Sequence, residues 1–322
     1  MTTIYCTHRI PDVGIKMLRE KGYEVDVAEN EHPLSKEQFL ENLRKKPYDG
    51  VITLLTDHVD GEAFDACPTA KIWSNYAVGF NNVDCDKAKE RGLTVTNTAG
   101  TSSRAVAEHT VALMLALSTR LDEGDRFMRE GKYKGWDPDL LIGVDLSEST
   151  IGLIGTGAIG HEVANILYKG FGAKIIYSDP IINKSIEDDF HAPRFSIEDT
   201  LRQADFVSLH VPLIPETHHL MNAERFSIMK PTAFLINTSR GPVIDEKALV
   251  EALKEKKIRG AGLDVFEFEP AVTEGLLHLE NVIVTPHIAS AREKARNAMS
   301  VAVANNLISF FETGKAINVV TR

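Results

Sequence analysis

The segment that most constrains the fold is Ile151-Gly152-Leu153-Ile154-Gly155-Thr156-Gly157-Ala158-Ile159-Gly160, a short apolar run feeding Gly-x-Gly-x-x-Gly and then a helical pattern over His161–Tyr168. A strand, a tight turn and a helix in immediate succession belong to a βαβ unit of a parallel sheet. In that setting Gly155 permits the turn, Gly157 lets a phosphate approach the backbone, and Gly160 lets the helix lie close on the strand. Ala158 and Ile159 open the helix, whose unpaired N–H groups and positive dipole end favour an anion. Glycines at this spacing also serve ordinary strand-to-helix turns, so the neighbouring residues decide. The next strand, Lys174–Ser178, ends at Asp179, about twenty residues on, where a carboxylate accepts hydrogen bonds from ribose hydroxyls and repels a 2′-phosphate. The segment predicts a dinucleotide site that takes NAD in preference to NADP.

The same rhythm runs through the whole chain. Strand-like runs at Ile4-Tyr5, Tyr23–Val27, Val51–Leu55, Lys71–Asn75 and Leu93–Asn97 alternate with helical patterns. A second series follows at Thr150–Ile154, Lys174–Ser178, Phe206–Val211, Ala233–Asn237, Gly260–Val265 and Val282–Thr285. Between them, Ser102–Glu130 carries one long helical period, and Ala291–Phe311 carries another. Alternation of this kind predicts α/β architecture with parallel sheets. A length of 322 residues suits two domains of roughly 150 residues each. The expectation is two doubly wound parallel-sheet domains with a cleft between them. A Rossmann cofactor domain, residues 101–290, would be inserted in a flavodoxin-like substrate-binding domain made of 1–100 and 291–322.

Composition removes several function classes. With 46 acidic against 36 basic side chains the formal charge is −10, which opposes sequence-independent binding to nucleic acid or an anionic membrane. The longest strongly apolar stretch, Val111–Leu117, falls far short of the ~20 residues that span a bilayer. No basic segment followed by an apolar one opens the chain, so no signal peptide is expected. Cys6, Cys67 and Cys85 form no Cys-x-x-Cys pair, and no His, Cys and Asp cluster has metal-ligand spacing. A reducing, cytoplasmic setting with neither disulfide nor metal follows.

Three strand ends of the second series carry chemistry. Arg240 follows Ile236-Asn237, Asp264 and Glu269 follow Gly262-Leu263, and His287 follows Val284-Thr285-Pro286. Hydride transfer to a keto acid needs a cation for the carboxylate, a proton donor for the carbonyl oxygen, and a charge that tunes the donor. Taken singly, a Thr-Pro-His is more often a turn and a loop glutamate a solvated charge; their joint occurrence beyond a nucleotide loop gives them weight. His210 is expected in the strand lining the cofactor, and His218 and His219 at the surface.

These segments, together with Asp205–Leu213, Thr217, His219-Leu220 and Gly262–Pro270 in this order and spacing, resemble the D-isomer-specific 2-hydroxy-acid dehydrogenases over essentially the whole chain. The resemblance implies that His287 is the general acid in reduction and the base in oxidation. Glu269 would be its charge partner, favouring the protonated ring. Arg240 would grip the substrate carboxylate and carbonyl oxygens with its fork of donors. Asp264 would lie on the nicotinamide side, with Val211, Thr238 and the Ala158-Ile159 backbone along the cofactor. Asn75–Asp84 is similar to the family's substrate loop, in which N–H groups around Val78 and Gly79 hold the carboxylate. Thr53–Asp60 is most similar to the glyoxylate and hydroxypyruvate reductase branch, with Leu55 and Thr56 bordering the small end of the substrate. Thr101–Glu108 looks more like the phosphoglycerate dehydrogenase type, so D-3-phosphoglycerate and D-lactate dehydrogenases stand as alternatives. Non-catalytic NADH-binding corepressors share the fold and much of the site, and are the alternative from another class. The family also implies a homodimer.

Overall fold

Apolar, β-branched runs bounded by turns form strands whose strand-to-strand pairings are all parallel among the described residues, with an isolated antiparallel bridge from Thr96 to Val319 at a sheet edge. The computed structural model describes residues 1–30 and 32–321. Glu31 and Arg322, the latter the expected end of the first domain, lie outside the described residues. The chain divides into two compact units, one of Met1–Ser102 with Ala291–Arg322 and one of Ser103–Ser290.

The first unit is a five-stranded sheet of β1 (Thr3–Cys6), β2 (Glu24–Val27), β3 (Gly50–Thr53), β4 (Ile72–Asn75) and β5 (Thr94–Thr96), in the order β2-β1-β3-β4-β5. Its central strands β3 and β4 are buried at every position, as parallel strands covered by helices on both faces must be. Ile4, Ile52, Val303 and Leu307 pack on one side, and Leu43, Phe64 and Trp73 on the other. The C-terminal helix Glu293–Thr313 belongs to this unit because it locks onto the helix Asp12–Glu20. A Cβ on Gly14 would meet the Ser300 carbonyl oxygen at 2.1 Å, so glycine is what lets the two backbones touch. The Ser300 hydroxyl accepts from the Gly14 N–H at 3.1 Å and donates to the Pro11 carbonyl at 2.6 Å.

The second unit holds β6 (Thr150–Ile154), β7 (Lys174–Ser178), β8 (Phe206–Leu209), β9 (Phe234–Asn237), β10 (Gly260–Leu263) and β11 (Val282–Val284), in the order β11-β10-β9-β8-β6-β7. A one-residue parallel bridge from Tyr177 to Arg194 extends the sheet past β7. With that remnant counted as a third strand, the order is 3-2-1-4-5-6-7, the doubly wound 3-2-1-4-5-6 with β11 added as a seventh strand at the far edge. The sequence order reverses between β6 and β8, and sheets of this kind bind ligands beyond the carboxyl ends of the strands at that point. The helical period over 102–130 resolves into two helices, Ser103–Ser118 and Leu121–Arg129. Arg120 breaks it with a left-handed backbone, φ 55°, and its guanidinium fixes the turn by donating to both oxygens of Glu123 at 2.8 and 2.7 Å. Among the described residues no helix is long and apolar enough to cross a membrane.

Candidate active site

The glycine loop divides its labour between two close contacts and one open position. Gly155 has φ +90°, and a Cβ there would lie 2.6 Å from the His210 carbonyl oxygen. A Cβ on Gly160 would come within 2.5 Å of the Gly155 oxygen, so this residue sets the helix against the turn. Gly157 is the exception: a Cβ on it meets nothing, and it heads the helix Ala158–Phe171 without a side-chain cap. Gly157 and Ala158 are exposed and Ile159 half-buried, which leaves the helix N-terminus open to an anion. Asp179, just past β7, accepts from the Thr156 N–H and hydroxyl at 2.8 and 3.0 Å and from the Ile181 N–H at 3.0 Å. The carboxylate thus sits against the glycine loop. Val211 lies beside Gly155, with Cγ1 3.0 Å from the Cβ position there. The set fits a dinucleotide, with an open phosphate cradle and an acidic group one strand away. His210 next to it bonds Ser208 Oγ at 2.9 Å, and burial pushes its ring down to about 4, so it stays neutral.

Three further strand ends of this sheet carry the remaining polar groups. At the end of β9, buried Asn237 accepts from the N–H and hydroxyl of Ser239 and donates to the Arg240 carbonyl at 2.9 Å. That closes a tight turn presenting Arg240, while Thr238 Oγ1 meets Thr110 Oγ1 at 2.9 Å. The guanidinium donates to the Ser239 carbonyl at 2.7 Å. Burial lowers its pKa and the charge of Glu269 opposes this; an arginine remains cationic regardless.

At the end of β10 Asp264 is fully buried, and it organises the turn after β11. Its carboxylate accepts from the Thr285 hydroxyl at 2.6 Å, the Ile288 N–H at 2.8 Å and the Ala289 N–H at 2.7 Å, and its carbonyl accepts from the His287 N–H at 2.9 Å. His287 is thereby held at φ 55°, a left-handed conformation that costs a non-glycine residue about 1–3 kcal/mol and persists only when its surroundings impose it. His109 lies 3.5 Å from the same carboxylate and 3.0 Å from Thr285 Oγ1. Burial pushes Asp264 up, and these donors outweigh it to leave the carboxyl below its ordinary range.

His287 Nδ1 meets Glu269 Oε2 at 3.0 Å, and the other Glu269 oxygen accepts from the Phe266 N–H at 3.0 Å. Burial raises the Glu269 carboxyl, while the bond and charge of His287, the Phe266 N–H and Arg240 more than reverse this. A histidine fixed at Nδ1 by a carboxylate, with an arginine close enough to act on that carboxylate, can pass a proton at Nε2 while the arginine holds an anion. The structure thus brings together Arg240, Glu269 and His287, and it uses Asp264 to build the turn that carries His287.

Leu55, Thr56, Val78 and Gly79 all lie in the first unit. Leu55, half-buried, and Thr56, exposed, form a turn after β3. Val78 and Gly79 follow β4, their carbonyls accepting from Asn97 Nδ2 at 2.7 Å and Asn75 Nδ2 at 3.1 Å. Asn82 ties these two loops together, donating to the carbonyls of Leu54 and Asp57 at 3.0 Å each and pairing with Asn75.

Sequence reasoning passed over Asn82, Asn237 and a second histidine–glutamate pair. His219, expected at the surface, is half-buried, with Nε2 2.7 Å from Glu267 Oε1. The signal lay in two glutamates, Glu267 and Glu269, two positions apart beside a histidine-bearing turn. Among the described residues no group of three or more His, Cys, Asp or Glu could hold a metal ion.

Comparison with known proteins agrees with this geometry. Residues 111–289 match the model of the D-isomer specific 2-hydroxyacid dehydrogenase NAD-binding domain. The glyoxylate reductase of Thermococcus onnurineus is 44% identical over 311 residues, 95% of this chain and 92% of that protein. The NADPH-dependent glyoxylate/hydroxypyruvate reductase of Sinorhizobium meliloti, solved with NADP and malonate, superposes with a TM-score of 0.87 at 32% identity, covering 99% of this chain and 96% of that one. The D-lactate dehydrogenase of Aquifex aeolicus, solved with NAD and lactic acid, gives 0.85 at 29% identity, covering 100% and 99%. Glycine loop, strand-end constellation and full-length likeness agree that the chain belongs to the D-isomer-specific 2-hydroxyacid dehydrogenase family, whose members are oxidoreductases acting on CH–OH groups.

Proposed function

We propose that the chain reduces glyoxylate, and hydroxypyruvate beside it, to the D-2-hydroxy acid with NADH. The observation that carries the reading is the Glu269–His287 bond with Arg240 acting on the same carboxylate. In the bound complex a reduced nicotinamide supplies the hydride. Arg240 binds the substrate carboxylate and stabilises charge developing on the carbonyl oxygen. His287 delivers the proton from Nε2, and Glu269 keeps the ring oriented through its bond to Nδ1. Ala158, Ile159, Val211, Thr238 and Asp264 line the cofactor, and Leu55, Thr56, Val78 and Gly79 recognise the small acid. The preference for NADH rests on Asp179, whose charge disfavours a 2′-phosphate. Residues 1–100 with 291–322 serve as the substrate-binding domain and 101–290 as the cofactor domain, in a cytoplasmic homodimer.

The small substrate is favoured by the glyoxylate reductases among the chain's relatives. The test follows loss of NADH or NADPH absorbance with glyoxylate, hydroxypyruvate, pyruvate and phosphohydroxypyruvate. Highest kcat/KM for glyoxylate with NADH supports the reading. Preference for phosphohydroxypyruvate, or NADH binding with no turnover on any acid, defeats it.

A further inference from the structure

Between Phe266 and Leu276, both buried, the loop that carries Glu269 has almost no apolar anchor. Phe268, Glu269, Pro270 and Ala271 are exposed, and only Val272 packs against the core. Polar contacts must hold it. Glu246, the first residue of the helix Glu246–Lys254, is 1% exposed, and its two carboxylate oxygens reach both ends of this loop. Oε1 accepts from the Glu267 N–H at 2.6 Å and Oε2 from the Thr273 N–H at 3.2 Å.

The contact is reciprocal. The Glu246 N–H donates to Glu267 Oε2 at 3.1 Å, and Glu267 Oε1 takes His219 Nε2 at 2.7 Å. His219 has a left-handed backbone, φ 50°, and its N–H donates to the Pro242 carbonyl at 2.8 Å. That ties it to the segment after Arg240. There Gly241 lies so close to the loop that a Cβ would overlap the Phe266 carbonyl oxygen at 1.8 Å. A buried carboxylate is costly unless fully bonded and balanced. Here both carboxylates accept backbone N–H groups, one of them at a helix N-terminus, and Glu267 also meets the His219 ring.

We propose that Glu246, backed by Glu267 and His219, is a positioning residue that clamps both ends of the 267–273 loop and so fixes Glu269 on His287. Only a carboxylate suits the place, because it faces two N–H donors with two acceptors. A glutamine would accept one and turn its own NH2 against the other. Catalytic geometry responds to displacements of well under 1 Å, so a loosened loop reaches the chemistry through Glu269. The effect on turnover rests on the function proposed above; the effect on the His287 ring does not.

The test compares Glu246→Gln, Glu267→Gln and His219→Gln in the full chain by two readouts. One is kcat, KM for glyoxylate and NADH affinity by fluorescence. The other is the NMR resonance of the His287 Nδ1–H that meets Glu269, assigned by its loss in His287→Gln. Glu246→Gln should lower kcat by roughly 10–100-fold, leave the NADH dissociation constant within about twofold, and move that resonance upfield or broaden it away as Glu269 leaves hydrogen-bond distance. His219→Gln keeps the fold with least disturbance and should move the resonance the same way by less. An unchanged resonance in folded Glu246→Gln and His219→Gln overturns the proposal, as does a kcat loss matched by an equal loss of NADH binding. A wild-type chain that binds NADH but reduces no keto acid overturns the function instead, and the ring resonance still decides the clamp.

Discussion

His287 commits Nδ1 to Glu269 Oε2 at 3.0 Å, so Nε2 is the ring atom left to carry a proton to a substrate. His287→Ala should lower kcat for glyoxylate reduction by roughly 10²–10⁴-fold, the worth of a positioned general acid. NADH affinity, read by fluorescence, should hardly change. Retained turnover would move the proton donor to another residue.

Glu269 answers to pH with a definite sign. Its carboxyl, partly desolvated at the edge of an exposed loop, is held below the ordinary range, so its contribution to stability is complete above the unfolded value, about pH 4.3, and is lost as pH falls through the depressed folded value. In urea titrations across the acid range, Glu269→Gln should show a flatter decline than the parent protein. Identical slopes would mean that the Glu269–His287 pair does not persist in solution.

Asp264 should behave as a structural carboxylate with a catalytic consequence. Asp264→Asn keeps the shape but turns an NH2 towards the turn's N–H groups, which should cost about 1–3 kcal/mol in chemical denaturation. Turnover should fall further than stability explains, because His287 loses its left-handed support. A variant with wild-type stability would contradict the three hydrogen bonds assigned to this side chain.

Two glycines should respond in opposite ways. Gly157→Val adds a side chain where the structure leaves open space; it should fold within about 0.5 kcal/mol of the parent and weaken NADH binding about tenfold or more. Gly241→Ala forces backbone against backbone, and calorimetry should find it destabilised by about 3 kcal/mol or more. Tight NADH binding by Gly157→Val would remove the phosphates from this loop.

The proposed homodimer can be checked on one segment. Leu121, Met128, Tyr133, Trp136 and Ile142 are all exposed large apolar side chains within 121–142, the kind of residues a partner subunit covers. Sedimentation should give twice the 35.6 kDa chain mass, and Trp136→Asp with Ile142→Asp should shift it to the monomer. A wild-type protein sedimenting as a single chain would end the proposal.

What the sequence made legible follows from how far apart the partners lie. The parallel strands and the glycine turn are local patterns of a few residues, and they could be read directly. Arg120 looked like part of one helix because its left-handed turn leaves the apolar period on both sides intact. The strand remnant at Arg194 was invisible because one bridged residue has no periodicity. Arg240, Glu269 and His287 were found through a family pattern, since spacing alone cannot show that their side chains meet. Glu246, Glu267 and His219 span 48 residues of sequence, and nothing local distinguishes a buried clamp from a charged loop.

The sheet of the second unit ends in β11, three residues long, on one side and in the single bridged residue Arg194 on the other. Pro193 beside that bridge has no N–H to offer, and Arg194 spends its guanidinium on the carbonyls of Asp179 and Pro180 at 2.9 and 3.0 Å. A wandering strand from another chain would find scarcely one rung on which to start a ladder. The stunted third strand thus shields the glycine-loop side of the sheet from misassembly, at the margin where half-buried Asp179 follows β7.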